Sequence, residues 1–396
     1  MPQLPGNTGS LTTLGLAVAD SREDTSGGFL MTLTVAPLSP PLPERSADAV
    51  RPVSDSLRPG VTVLVPAYNE AESIADTIRS LQIQTHPVAE IIVIDDFSSD
   101  GTSDIARSCG ATVVRPPRNT GSKAGAQNFA LSQVKTEFTM AIDADTVLAP
   151  DAIEKIIAGL DTPNVAAACG FVIPRHVRTP WERGRYIEYL FAFTFYKPIQ
   201  NYYQRPLISS GCFSIYRSAV LFEAGGWSTR TLAEDMDLTW TLYSMGYGVR
   251  FVPEAMCYPI EPHDFNFMSK QLRRWGHGFI QNVVLHRRYL LTDPFLRSVV
   301  AVALWDSVVA SIAYLLLLPL FAIFVSPLFL LGYFIDLPAV LVPVLVAGVR
   351  RREVGRVLMS IPGFLALRWV NSLFILEAVW SELVLRKRFT VYEKGH

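Results

Sequence analysis

At 396 residues, 49% of them hydrophobic, the chain is too long for one small domain and too apolar to be wholly soluble. Its 35 basic and 36 acidic residues leave a net charge of −1, which excludes a nucleic-acid binder that works by bulk charge. Four widely spaced cysteines, Cys109, Cys169, Cys212 and Cys257, form no Cys-x-x-Cys pair, so neither a structural zinc site nor a disulfide framework is expected, and reduced thiols in a cytosolic domain fit best.

Residues 1–58 are rich in Pro, Ser, Thr and Gly without helical or strand periodicity, the composition of a disordered tail. Met31 is a candidate biological start, and no basic stretch leading into an apolar core marks a secretory signal. Order begins at Val61-Thr62-Val63-Leu64-Val65-Pro66, a β-branched and aliphatic run that reads as a buried parallel strand. Ala67-Tyr68-Asn69-Glu70 forms the turn, and Ala71 to Gln82 carries Ile74, Ile78 and Leu81 at helical spacing. A second strand, Glu90 to Ile94, stops at the polar turn Asp95-Asp96-Phe97-Ser98-Ser99-Asp100-Gly101, which caps a helix through Ala106. Thr112-Val113-Val114 is a third strand.

Arg118 to Asn128 then places two glycines and Lys123 at the start of an apparent helix, an arrangement that suits an anion but is not a Walker loop. The fourth strand, from Phe138, delivers Asp143 and Asp145 into the turn at its end. At i and i+2 they point the same way, and a slight bend aims both at one hard cation, which in turn can hold a diphosphate. Strands alternating with helices, with polar loops at the strands' carboxyl ends, predict a doubly wound α/β sheet whose ligand sits at those ends.

A fifth strand is expected at Val165 to Val172. The aromatic stretch from Tyr186 to Tyr203 fits core packing, a membrane-facing helix or a sugar-binding wall. Glu234-Asp235-Met236-Asp237 opens a helix over Leu238 to Met245, either as dipole-stabilising caps or as a reactive cluster. Gln271-Leu272-Arg273-Arg274-Trp275 sets a fork-shaped cation, apt for phosphate, beside a flat aromatic, apt for the C–H face of a sugar. From Val299 the composition turns membrane-like. Val299 to Val325 and Leu328 to Val349 are each long enough to cross a bilayer, which takes about 20 apolar residues. Arg350, Arg351, Arg352 and Arg356 follow the second, which by the positive-inside bias puts that end in the cytoplasm and, two crossings apart, the α/β domain there too. Val357 to Trp380, with Arg368 and Glu377, is either a third span whose charges face a cavity or a kinked hairpin; the basic cluster Arg386-Lys387-Arg388 favours the return.

In this order, Val-Pro-Ala-Tyr-Asn-Glu, Asp-Asp-x-Ser-Ser-Asp-Gly, Gly-x-Lys-Ala-Gly, Asp-Ala-Asp, Ala-Glu-Asp-x-Asp and Gln-x-x-Arg-Trp resemble the inverting glycosyltransferases of family 2. The likeness spans Val61 to Gly278 and is strongest to the membrane branch holding the cellulose, hyaluronan, chitin and poly-N-acetylglucosamine synthases. It implies a GT-A type mixed sheet followed by transmembrane or interfacial helices. It also implies that Pro66, Ala67, Tyr68, Glu70 and Asp96 line the nucleotide, that Lys123 and Asp143 hold the phosphate side, and that Asp145, with Asp143, takes Mg2+ or Mn2+. Asp235 matches the general base and Glu234 its neighbour; Gln271 and Arg274 match groups at the diphosphate. Trp275 matches the floor under the acceptor sugar, with Gly211 and Cys212 beside it. Ala233 stands where the family usually has Thr. His263 reads as a surface or core histidine rather than a metal ligand.

The expected organisation is a tail over 1–58, a catalytic domain over 59–298, membrane helices over 299–385 and a basic tail over 386–396. The expected partners are a UDP-linked sugar, a glycan or lipid-linked acceptor and membrane lipid, with no nucleic acid. No membrane helix precedes the catalytic stretch, so the C-terminal segments are expected to form an acceptor platform or to assemble with further copies or an accessory subunit.

Overall fold

A computed structural model of the chain describes residues 59–390. The tail expected over 1–58, the Met31 start and the last six residues of the basic tail lie outside the described residues.

Eight strands form one mixed sheet: β1 (Val61–Ala67), β2 (Glu90–Asp95), β3 (Thr112–Val114), β4 (Phe138–Ile142), β5 (Thr146–Leu148), β6 (Val165–Val172), β7 (Phe213–Arg217) and β8 (Gly248–Pro259). Their spatial order is β3-β2-β1-β4-β7-β6-β8-β5. β1 lies parallel to both β2 and β4, whereas β7 runs antiparallel to β4 and β6. Strands flanked on both edges and covered on both faces need apolar residues throughout, and β4 and β6 are buried along their full length. The chain builds β1, β2 and β3 outward in one direction and then returns to the other edge of β1 with β4. The gap between the carboxyl ends of β1 and β4 is thus a topological switch point, the place where such sheets bind ligands.

The helices of this part are α1 (Ile74–Gln82), α2 (Thr102–Ser108), α3 (Lys123–Leu131), α4 (Ala152–Ala158), α5 (Pro180–Phe191), α6 (Lys197–Tyr202), α7 (Ser218–Glu223), α8 (Glu234–Ser244), α9 (Phe265–Leu285) and α10 (Arg287–Thr292). α5 is started by a full capping box, with Pro180 at its first turn and Thr179 and Glu182 bonding each other's backbone N–H groups. Its aromatic stretch mostly packs inward, since Tyr186, Ile187, Leu190 and Phe193 are buried, while Tyr202 stands exposed beyond it. α8 begins at Glu234, four residues before the expected Leu238, so the acidic residues form its first turn instead of preceding it.

Three further helices, Pro294–Phe324, Pro327–Arg350 and Val354–Val384, are long and apolar enough to cross a membrane. In the first two, only 6% of the most apolar window is buried, leaving side chains such as Leu320, Ile323, Phe324 and Leu328 open in a way water does not favour. The third differs, with 33% buried. It lies against α5 and α9: a Cβ on Gly363 would come within 2.3 Å of the Pro180 carbonyl oxygen, and one on Gly184 within 2.9 Å of the Gly363 carbonyl oxygen. Two helices can approach this closely only where both lack side chains. Its charges are paired within the protein. Arg368 bonds Asp336 of the second helix and Tyr314 of the first, and Glu377 meets Arg273 of α9 at 3.3 Å.

Gly363→Val should therefore cost about 1–3 kcal/mol by overpacking, lowering the melting temperature of the detergent-solubilised protein. Gly355→Ala in the same helix, with nothing within 4 Å of the new methyl, should be neutral or mildly stabilising. Equal melting of the two variants would refute the close crossing.

Candidate active site

Three loops meet at the switch point. Beyond Pro66 and Ala67 the backbone turns through Tyr68, which is partly exposed, and Asn69, whose φ of +53° is the left-handed region that asparagine tolerates. Asn69 N–H donates to Ser98 Oγ at 2.9 Å and its side-chain oxygen accepts from Ser99 N–H at 2.9 Å, stitching this turn to the one after β2. Glu70 is buried, its backbone N–H on Thr102 Oγ1 and one carboxylate oxygen accepting from Ser73 Oγ at 2.8 Å.

Asp96 N–H bonds the Ala67 carbonyl at 2.9 Å. Its two carboxylate oxygens accept from Thr120 N–H and Thr120 Oγ1, both at 2.8 Å, while Asn119 donates to its carbonyl. Asp96 thus anchors the Gly/Lys loop against the strand ends, a task its resemblance-based place beside the nucleotide did not foretell.

That loop starts α3, where Ser122 Oγ caps Gly125 N–H. Lys123, the first helical residue, pairs with Asp143 and donates to the Gly211 carbonyl at 2.9 Å. The N–H of the same glycine donates to Asp235 Oδ2 at 2.8 Å, and Met236 N–H supplies Oδ1 at 2.8 Å. Asp143 N–H reaches the Cys212 carbonyl at 3.4 Å. Only glycine fits at 211, because a Cβ there would stand 2.8 Å from Asp235 Oδ2 and 3.2 Å from Lys123 Nζ. Lys123, Asp143, Gly211, Cys212 and Asp235, spread over 113 positions of sequence, therefore form one cluster.

Burial raises the Asp235 carboxyl above its ordinary value, against the pull of Lys123 and the two N–H donors. Glu234 is pushed up to about 7, first by burial and then by the neighbouring Asp235 charge, with Lys123 and Arg274 opposing. Asp237, on the same helix, is of another kind. Burial alone would raise it, but Arg230, forked onto both oxygens at 2.7 Å, and His286 at 2.7 Å hold it below the ordinary range. It is a structural anchor. A cavity of about 220 Å3 opens beside Glu234, lined also by Thr120, Gly121, Ser122, Thr231 and Leu232.

Asp145 stands in the turn between β4 and β5, with Thr146 Oγ1 donating to it at 3.2 Å and Ile260 N–H to its carbonyl at 3.3 Å. Among the described residues no group of three or more His, Cys, Asp or Glu could hold an ion alone. Mg2+ is commonly held by one or two carboxylates with phosphate and water oxygens, so the chemistry of this turn fits such an ion beside a diphosphate. Asp143, expected both as a metal ligand and at the phosphates, is here the partner of Lys123. His263 is exposed, 3.3 Å from Asp264.

On α9, Gln271 Oε1 accepts from Arg185 at 2.7 Å, and the Trp275 ring carries the Arg185 guanidinium 4.4 Å from its centroid. Arg274 is near enough for its charge to act on Glu234. The sequence reading missed Arg185, Glu188, Tyr189 and Glu261, which form a buried polar group against α9; the available signal was two charges three residues apart inside an aromatic helix.

Residues 62–223 match the model of glycosyl transferase family 2. Among curated proteins, the poly-β-1,6-N-acetyl-D-glucosamine synthase of Staphylococcus epidermidis is 30% identical over 224 residues, 55% of this chain and 54% of the relative. That of Staphylococcus aureus strain COL is 28% identical over 265 residues, 65% and 64%. The matches thus span between about half and two thirds of those relatives' length. Among solved structures, a mannosyltransferase of Pyrobaculum calidifontis in complex with GDP-Man and Mn2+ superposes with a TM-score of 0.56 over 84% of this chain and 89% of that one, at 19% identity, a likeness of fold. Residues 62–223 thus match glycosyl transferase family 2, the fold is that of a GT-A glycosyltransferase, and the curated proteins similar to this chain are membrane-bound polysaccharide synthases.

Proposed function

We propose that this protein transfers a sugar, with inversion, from a UDP-linked donor to a growing polysaccharide or lipid-linked acceptor at the cytoplasmic face of a membrane. The observation that carries the reading is that the backbone of Gly211 bonds both the Lys123 ammonium, through its carbonyl, and the Asp235 carboxylate, through its N–H. One-step transfer needs a cation for the departing diphosphate and a base for the incoming hydroxyl, a short distance apart.

In the proposed reaction the acceptor oxygen attacks the anomeric carbon from the side opposite the diphosphate. The bond from that carbon to the phosphate oxygen breaks, and its electron pair leaves with the nucleoside diphosphate. The hydroxyl proton passes to Asp235. A carboxylate with a raised proton affinity is a better base for this than an ordinary one, and Glu234, protonated up to about pH 7, leaves Asp235 as the anion of the pair. Lys123 and Arg274 offset the charge growing on the leaving group, and Gln271 orients it. Mg2+ or Mn2+ bound at Asp145 would supply Lewis-acid neutralisation of the same diphosphate.

Tyr68, Glu70 and Asp96 belong to the donor side on this reading, and Trp275 is the floor for the acceptor. The division into a catalytic part over 59–298 and a membrane part over 299–385 accords with the change from mixed sheet to apolar helices. The arginines after the second apolar helix support a cytoplasmic catalytic domain. The curated relatives' names make UDP-N-acetylglucosamine the first donor to test.

With purified protein, UDP-N-acetylglucosamine and Mg2+ or Mn2+, release of UDP and a ladder of lengthening products are expected; a single adduct would show one-sugar transfer instead. Asp235→Asn should lower transfer by about 10²–10⁴-fold with UDP binding intact, and undiminished transfer would remove the base. Binding without any turnover in the wild type would make the chain a non-catalytic subunit of a synthase.

The folded chain holds the Glu234 proton to about pH 7 and the unfolded chain releases it near 4.5, so stability falls as pH rises through that window. Glu234→Gln should flatten that fall, by at most about 3 kcal/mol, in melting curves between pH 5 and 7. It should keep transfer at neutral pH within about tenfold of wild type, as an uncharged mimic of the protonated acid; an unchanged melting profile would refute the assignment.

A further inference from the structure

We infer that Arg185 is a positioning residue for the reaction, fixing Trp275 on the acceptor side and Gln271 on the diphosphate side and tying them both to the Asp145 turn and to the third apolar helix. This rests on the reading of Trp275 as the acceptor floor given above.

Arg185 is 2% exposed in the middle of α5. A buried guanidinium costs several kcal/mol unless its charge is met, and here each edge faces a different element. Nη1 donates to Glu188 Oε2 at 2.6 Å, Nη2 to Gln271 Oε1 at 2.7 Å, and Nε faces Glu261 Oε2 at 3.7 Å. Its flat face lies 4.4 Å from the centroid of Trp275. A planar fork can donate in its own plane and stack at once; a lysine ammonium cannot. The guanidinium therefore sets the ring plane of Trp275 and the amide of Gln271 together, and covers part of a ring that stays 38% exposed.

The two carboxylates carry the connection outward. Glu188 Oε1 accepts from Asn371 of the third apolar helix at 2.8 Å. Glu261 is 3% exposed, takes the Tyr189 hydroxyl at 2.8 Å, and follows Ile260, whose N–H holds the Asp145 carbonyl. Arg185 Nε and Glu261 Oε2 are both buried without a hydrogen bond, an arrangement that stability alone does not favour. A salt cluster serving only the fold would have no reason to end on the exposed ring and the amide of the Gln-x-x-Arg-Trp motif.

The test is a double-mutant cycle of Arg185→Lys and Trp275→Phe in the full-length, detergent-solubilised protein. UDP-N-acetylglucosamine is the donor and a short β-1,6-linked N-acetylglucosamine oligomer the acceptor. Arg185→Lys should raise the acceptor KM about tenfold and shorten the products, and weaken UDP binding by no more than Gln271→Ala does. In the Trp275→Phe background the same change should add little, since Arg185 acts through that ring. Additive effects, or an unchanged acceptor KM in Arg185→Lys, would overturn the inference while leaving the acceptor floor in place. An unchanged acceptor KM in Trp275→Phe alone would overturn the floor itself, and the inference with it. Asn371→Ala removes only the outer link and guards against misfolding of the lysine variant. A smaller KM rise in the same direction supports the tie to the apolar helix, and none refutes it.

Discussion

One glycine holds the site together. The N–H of Gly211 donates to Asp235 and its carbonyl accepts from Lys123, so a carboxylate from α8 and an ammonium from α3 are held by the two backbone groups of a single residue. Asp143 closes the arrangement from the end of β4 by taking the other side of Lys123. Burial raises Glu234 and Asp235, the Asp235 charge adding to the rise of Glu234, while Asp237, two residues on and fully paired with Arg230 and His286, falls. One turn of helix thus presents carboxylates of opposite character.

The apolar C-terminal part of the protein is joined to this centre by close packing. Gly184 and Gly363 bring α5 and the third apolar helix into backbone contact, and α5 also carries Arg185 and Glu188. The side chain that touches Gln271 and Trp275 and those that pack on the third apolar helix therefore sit on one helix, α5. A catalytic domain merely tethered to its anchor would have no such shared helix.

Much of this was legible from the amino-acid order. The runs at Val61, Glu90, Phe138 and Val165 are apolar without alternation, as parallel central strands require, and the polar turns after them fell at the switch point. The strands that escaped notice are antiparallel or at the edge. β5 is three residues long and begins directly after Asp145, and β8 contains Pro253 and Glu254 and shifts register against β6. Lys123, Gly211 and Asp235 were singled out separately, but that the backbone of one glycine serves both charges is a fact of tertiary approach that no local pattern encodes. Arg185 and Glu261 stayed hidden for the same reason, since an arginine in a helix that also carries Glu182, Arg183 and Glu188 reads as surface until its partners from α9 and the end of β8 are brought to it.

The Arg368 contacts bear on how such a chain is made. Its guanidinium belongs to the third apolar helix, yet its counter-ion is Asp336 of the second and its phenol partner Tyr314 of the first. Delivered singly to lipid, either charged helix would carry an ion with nothing to neutralise it. Were these segments to enter a bilayer, the second would carry an unpaired Asp336 until the third brought Arg368 alongside, so entry of the two as a pair costs less than entry one at a time.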